Sequence, residues 1–396
     1  MDAPAAQDPG QDVFLLACGA FASSVALRLC DPILPALASD FATTVGQAAI
    51  VVTAASIAYG VFQLLFGPLG DAFGKFKVIA WACLASTVGA LACALSPNLE
   101  VLAAARALNG ATTAAIIPLS MAWIGDAVAL DQRQATLAKF MSGQVIGLIS
   151  GQLMAGFFAD HFGWRWAFAL LGAIYLWVGL RLLASLHRHR QPVATADSLV
   201  GASASGRIGL VLGNAHARVI LAVVFFESMT SIGVIAFVPT FLHHRFDLSL
   251  FHAGAITATF GLGGLGYTLF ARRWVRKLGQ GRLAVLGGAL MGAAFLLLIL
   301  APAWGLAVVA CMVAGLGFYQ LHNTLQTMAT QMTPAARGTA VSIFASCFFL
   351  GQAVGVSVGA MVVDHVSARW LFAAAAVMLP LLGTFLSRYL RSSAHT

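Results

Sequence analysis

The sequence predicts an all-α membrane protein whose twelve transmembrane helices form two pseudo-symmetric six-helix bundles. Three observations carry that expectation: the composition, the spacing of the apolar runs and an internal repeat. The chain of 396 residues is 60% hydrophobic and only 9% charged, with a mean hydropathy of +0.89, so its surface cannot face water and the bilayer is its solvent. A spanning helix needs about 20 mostly apolar residues, which leaves room for about a dozen spans and short loops and excludes a soluble domain of ordinary size.

The first six apolar runs fall at Phe14 to Leu37, Ala48 to Leu69, Val78 to Leu95, Val101 to Ile124, Leu137 to Phe158 and Trp166 to Leu186. The second six fall at Ile220 to Leu242, Gly254 to Phe270, Leu283 to Leu300, Leu306 to Met328, Ala340 to Val363 and Leu371 to Leu390. The longest polar break, His187 to His216, divides the chain into an N-terminal bundle (1–186), a central loop (187–216) and a C-terminal bundle (217–396). The N-terminus carries Asp2, Asp8 and Asp12 without Lys or Arg before the first run, unlike the basic opening of a cleaved signal, and none is expected. The six cysteines all lie inside apolar runs and none is spaced as C-x-x-C. They read as small buried apolar residues, with no disulfide or metal site expected.

An offset of 204 residues superimposes parts of the two halves, pairing Arg133 with Arg337, Gly147 with Gly351, Gly151 with Gly355, Asp160 with Asp364 and Trp166 with Trp370. One register running through two loops and the helix between them indicates duplicated halves, the construction of many secondary transporters.

Orientation follows from Lys and Arg, which favour the cytoplasmic side. With the N-terminus inside, the loops and tail on that side hold sixteen of them, from Lys75 and Lys77 to Arg388 and Arg391, whereas the opposite loops hold only Arg165, Arg245 and Arg369. Both termini and the central loop are therefore expected in the cytoplasm, in a bacterial-type inner membrane. The formal net charge of +8 is explained by this topology and by anionic lipid, not by nucleic acid.

After the second run, Gly67-Pro68-Leu69-Gly70-Asp71-Ala72-Phe73-Gly74-Lys75-Phe76-Lys77 resembles the signature loop of the major facilitator superfamily, G-x-x-x-D-x-x-G-R-x-K, with Lys75 in place of the Arg. A degenerate copy, Arg276 to Arg282, falls between the eighth and ninth runs, so the resemblance covers nearly the whole chain. In the fourth run, Arg106-Ala107-Leu108-Asn109-Gly110 is similar to the R-x-x-Q/N-G segment of the family's twelve-helix drug/proton antiporter branch, where the Arg is implicated in proton coupling. The branch's glycine-rich element on the fifth helix corresponds to Gly147, Gly151, Gln152, Ala155 and Gly156, without its Pro and with Ala155 for one Gly. The resemblance also implies that Gly67, Asp71, Gly74, Lys75, Lys77 and Arg133 form a gating loop in which Gly67 and Gly74 permit close approach and turning and Asp71 pairs with Arg133.

Charged groups inside spans are the informative anomalies, since each costs about 2.5–3.5 kcal/mol at a helix centre even on the gentler insertion scale. Arg28, Asp31, Arg106 and Glu227 are the ones so placed. Arg28 and Asp31 share a helical face just before Pro32 and Pro35, and form either a static ion pair or a proton site. Glu227 has no cation within a helical turn, so it is desolvated or paired from another helix. It is a second proton candidate and alternatively a site for a cationic substrate.

Polar stripes at helical spacing mark cavity faces or interhelical contacts. Tyr319, His322, Asn323 and Gln326 form one on the tenth run, favoured as cavity; Ser56, Tyr59 and Gln63 form one on the second; Arg106, Asn109 and Thr113 form one on the fourth. Gly143, Gly147 and Gly151 make a small-residue ridge on the fifth, suited to close packing or sliding. Gly261, Gly263 and Gly266 spell G-x-G-x-x-G with neither a preceding strand nor a following acid, so dinucleotide binding is rejected. His187, His189, His243 and His244 lie at loops or helix ends without acidic or Cys companions, so no metal is expected.

Together these features predict proton-coupled export of a small, partly apolar compound, with no enzyme activity and no cofactor; no Walker loop supports ATP-driven transport. Proton-linked uptake of a sugar, nucleoside or carboxylate is the alternative, and a membrane-embedded enzyme or sensor is disfavoured because catalytic groups do not converge and no signalling domain fits. Reporter fusions within 187–216 and at both termini should read out as cytoplasmic. A periplasmic central loop would overturn the helix count.

Overall fold

The computed structural model describes residues 10–186 and 204–393. Among them the secondary structure is entirely helical, because a chain in hydrocarbon must satisfy each backbone N–H and C=O within its own segment. Eleven helical runs are long and apolar enough to cross a bilayer. One of them, Leu250–Leu300, is doubled back at Gly279 (φ 73°, ψ 165°), which gives twelve spans.

Spans 1 to 6 are Gly10–Arg28 continued by Leu34–Asp40, Val45–Phe73, Lys75–Ala94, Leu99–Ala127, Leu130–His161 and Trp164–Ser185. Spans 7 to 12 are Ala215–Phe246, 250–278, 280–300, Trp304–Ala329, Arg337–His365 and Ala368–Ser393. Most of the stretch expected as the central loop, 187–203, lies outside the described residues. Its last part departs from a loop: Ala204–Gly213 is a helix, and span 7 starts at Ala215, capped by the Asn214 side chain, which accepts from His216 N and Ala217 N.

Several spans are interrupted. Pro32 and Pro35 remove backbone donors, and span 1 passes through turns at 29–33 before resuming at Leu34. Span 4 breaks at 114–115, and span 7 breaks at Ser231 and again at 236–237, before Pro239.

The repeat seen in the sequence is a repeat of contacts. Span 5 packs on span 1 and span 11 on span 7, in each case through glycines that let two backbones touch. A Cβ at Gly147 would strike the carbonyl of Phe21, and one at Gly351 the carbonyl of Phe225; at Gly151 and Gly355 the obstacles are the carbonyls of Val25 and Met229. Phe225 and Met229 lie 204 residues beyond Phe21 and Val25, so both sides of the contact obey one register. The two halves then meet through spans 5 and 8 and through spans 2 and 11.

A large side chain at Gly355 should therefore lower thermal stability in detergent. Gly355→Leu is expected to cost about 1–3 kcal/mol, the usual range for overpacking, while Gly305→Leu, where a Cβ meets nothing within 4 Å, should leave the unfolding temperature nearly unchanged.

Candidate functional site

The break in span 1 holds the first polar cluster. Asp31 is fully buried. Its Oδ2 accepts from the Arg28 guanidinium at 3.3 Å and from the Gln152 amide of span 5 at 3.4 Å, while Oδ1 has no hydrogen-bond partner. Arg28 and Arg106 both lie within electrostatic reach of this carboxyl. Arg106, 1% exposed, donates to the Val51 carbonyl of span 2 at 3.4 Å and to Asn109 Oδ1 at 3.3 Å, and its guanidinium stands 6.0 Å from the centre of the Phe168 ring. The anomalous charges of the first half are thus brought together, with Gln152 as a member that spacing did not single out as a site residue.

The second cluster lies in the other half. Glu227 is fully buried, and His322 Nδ1 of span 10 lies 3.0 Å from its Oε2; Oε1 has no partner. The cation missing from the helical turn of Glu227 is thus replaced by an imidazole from another span. Three phenylalanines surround that imidazole: Phe318 stacks on it at 5.0 Å and 12°, and Phe348 and Phe344 lie at 4.8 and 5.7 Å. No periodicity marked these rings, since Phe344 and Phe348 sit on an ordinary apolar face of span 11.

The polar stripes divide. Along span 10, Tyr319, His322 and Asn323 are half-buried and Gln326 is exposed, so access rises toward the end that carries the signature loop. Tyr59 is buried at the meeting of the halves, its ring 4.0 Å from Phe349 of span 11, and Gln63, also buried, keeps Oε1 without a partner. Asn109 and Thr113 differ from a cavity lining. Asn109 packs against Gly89 and donates to the Ser86 carbonyl of span 3 at 3.2 Å, and the Thr113 hydroxyl bonds back to the Asn109 carbonyl at 2.7 Å. Asn109 thus joins spans 4 and 3 inside their own bundle, while the buried Thr113 hydroxyl bonds only within span 4.

The signature loop also departs from expectation in two details. Gly74 turns the chain (φ 90°), but Gly67 is surrounded by open space and the close approach occurs at Gly70, against Leu119. Asp71 lies 3.6 Å from Lys75, which reaches Asp126 at the end of span 4 at 2.5 Å. Arg133 is not its partner: the guanidinium donates to the Val128 carbonyl at 3.3 Å, because the connection between spans 4 and 5 folds beneath it.

At the opposite end the halves are latched. Asp160, ending span 5, accepts from the backbone N–H groups of Leu250 (3.1 Å) and Phe251 (2.8 Å) at the start of span 8. Asp364, ending span 11, accepts from Gly46 N (2.9 Å) and Thr44 Oγ1 (2.5 Å) at the start of span 2. Leu250 is the repeat position of Gly46 and Asp364 that of Asp160, so one latch is the image of the other, and each sets a carboxylate on unsatisfied donors at a helix N-terminus. Further cross-half bonds, Thr53 to Ser357 (3.3 Å) and Ser346 to the Gly60 carbonyl (2.7 Å), continue the seal between spans 2 and 11. The repeat pair Asp160 and Asp364 was visible in the sequence; their partners in the other half were not.

The sequence model of the Major Facilitator Superfamily matches residues 16–335 and 220–396. The chain belongs to the major facilitator superfamily. Among relatives of this family member is an uncharacterized major-facilitator-type transporter, YceJ, of Bacillus subtilis, 25% identical over 337 residues and covering 83% of each chain. The riboflavin transporter RibZ of Clostridioides difficile is 25% identical over 177 residues, 43% of this chain and 38% of RibZ. A crystal structure of a D-xylose-proton symporter has the same fold, with a TM-score of 0.76 over 94% of this chain and 97% of the other at 16% identity. This major facilitator protein is accordingly a multi-pass membrane transporter, and its latches and buried charges lie on a transporter frame.

Each latch carboxylate should hold the halves closed at its end. A charged hydrogen bond contributes about 1.5–3 kcal/mol, so Asp160→Asn or Asp364→Asn should shift the closed–open balance by about tenfold or more. The reporter is Thr53→Cys labelling by a membrane-impermeant thiol reagent added from the latch side: faster labelling in both variants is expected, and unchanged rates would reduce the two residues to helix caps.

Proposed function

We propose that this transporter couples proton entry to export of a small, partly apolar compound by alternating access, with Asp31 as the principal proton carrier. The observation that carries the reading is the setting of Asp31: a fully buried carboxyl in a broken helix, with one oxygen held by Arg28 and Gln152 and the other unpartnered. An ionised carboxylate so placed leaves one oxygen without a donor, and uptake of a proton discharges the group. Alternating access requires a group whose proton affinity differs between two states. Asp31 meets that requirement because its cations sit on segments that a rocking motion displaces: Arg28 before the break in span 1, Arg106 on span 4.

Arg106, bonded to Val51 and Asn109, acts in this mechanism as the positive charge that discriminates ionised from neutral Asp31 according to how near span 4 stands. Glu227 and His322 form a second titratable pair beside the aromatic rings of spans 10 and 11, suited to hold the substrate or a second proton. Tyr59, Gln63, Tyr319, Asn323 and Gln326 line the route between the clusters. With both termini in the cytoplasm, the latched end faces the periplasm and the end bearing Asp71, Lys75, Lys77 and Arg133 faces the cytoplasm. The described conformation is then the inward-facing one.

The test is a set of proteoliposome assays with an imposed proton gradient, screening planar and partly apolar compounds, riboflavin among them because a partial relative is named for it. Asp31→Asn is expected to abolish gradient-driven movement while leaving substrate exchange largely intact. Glu227→Gln should give the smaller coupling defect and the larger effect on cationic substrates. Retained gradient-driven transport in Asp31→Asn together with its loss in Glu227→Gln would make Glu227 the carrier and Asp31 only the counter-ion of Arg28.

A further inference from the structure

Away from the two charge clusters, spans 2 and 3 enclose a groove of about 340 Å³ just inside the signature loop. Spans 2 and 3 leave Gly74 packed mainly on other helices and touch each other little. The space between them is walled by the rings of Phe66, Phe73 and Trp81 and by the small side chains of Ala82 and Ala85. Phe73 and Trp81 are 62% and 56% exposed, which places the mouth on the outside of the bundle.

Water is a poor occupant. A buried water needs polar partners, and the one hydroxyl on the wall, Thr112, already donates to the Leu108 carbonyl at 3.0 Å and accepts from Ser86 at 2.9 Å. In a membrane protein an apolar slot open to the outside of the bundle is filled by a hydrocarbon chain.

The mouth adds charge. Lys77 lines the groove, is exposed, and has no carboxylate partner among the described residues, whereas Lys75 is held by Asp71 and Asp126. Lys77 stands eight residues before Ala85 on one helix, about 12 Å along its axis at 1.5 Å per residue. That is the arrangement of a headgroup above its own acyl chain.

We propose that this groove is a binding site for an anionic phospholipid, with one acyl chain between spans 2 and 3 and the phosphate on Lys77. A zwitterionic lipid would fill the same groove but present an amine beside the ammonium, so the lysine selects net negative charge. The site lies against the signature loop, and its occupant wedges the elements that connect Asp71 to the membrane face.

Native mass spectrometry of the purified full-length protein, titrated with phosphatidylglycerol or phosphatidylethanolamine of identical chains, tests the assignment. Phosphatidylglycerol should be retained preferentially; Lys77→Gln should cut that preference by about fivefold, the effect of one juxtamembrane cation, and Lys77→Arg should restore it. Ala85→Phe, which fills the groove, should lower retention of both lipids. Equal retention of the two lipids by the unaltered protein, or an undiminished preference in Lys77→Gln, would overturn the proposal. So would displacement of the lipid by glycerol phosphate at equal concentration, which would mean that phosphate chemistry alone, and not the groove, holds it.

Discussion

Hydrocarbon offers a polypeptide no hydrogen-bond partner, and this constraint decides both where the chain is regular and where it is not. Helices satisfy the backbone internally, and so they run through every described span. Interruptions survive only where protein supplies the missing partners. In span 1 the turn at 29–33 is closed by bonds such as Asp31 N to the Arg28 carbonyl (3.4 Å); at the end of Ala215–Thr230 the Ser231 hydroxyl donates to the Glu227 carbonyl (2.5 Å); in span 2 the Val51 carbonyl receives the Arg106 guanidinium. The first two of these places hold the buried carboxyls Asp31 and Glu227, and the third receives its cation from Arg106 in an unbroken stretch of span 4. A broken helix already lines a polar interior, so a carboxyl or guanidinium there has donors and acceptors to meet that a lipid-facing helix lacks.

The two halves share a frame and differ in chemistry. Residues that obey the register of 204 are those that join backbones: Gly147 with Gly351, Gly151 with Gly355, and Asp160 with Asp364. Residues that break it carry the charges buried inside the spans. Asp31 and Arg106 are matched by Ile235 and Ala310, while Glu227 and His322 are matched by Ser23 and Pro118. A symmetric frame lets the same pair of contacts open and close on either side of a pseudo-two-fold axis, as alternating access demands. Asymmetric chemistry gives each half a separate task.

Glycine placement sets how close that frame can draw. A Cβ at Gly156 would strike the carbonyl of Leu250 and one at Gly46 the carbonyl of Ala360, so these glycines bring spans 5 and 8 and spans 2 and 11 into direct apposition, and small residues serve this purpose in membranes because no hydrophobic force drives helices together there. Close backbones then fix the reach of the end-of-helix carboxylates. Asp160 and Asp364 meet the first N–H groups of spans 8 and 2 only because span 5 lies against span 8 and span 11 against span 2.

Sequence alone determined the solvent, the number and order of spans, the duplication, the family resemblance and the identity of the costly charges, because each follows from the chemistry of a residue type or from distances along one helix. Arg28 beside Asp31 is such a case: three residues apart along the chain leave little freedom, even though the helix ends at Arg28 and Asp31 lies in the turn that follows. Tertiary structure decided what crosses between helices. It alone set His322 on Glu227, Gln152 on Asp31 and Lys75 on Asp126, joined Asn109 to span 3 of its own bundle, denied Asp71 the partner Arg133, and gave the close approach to Gly70 in place of Gly67. These depend on how far each helix is rotated about its axis, and a rotation of a few tens of degrees exchanges a cavity face for a packing face without altering any spacing in the sequence.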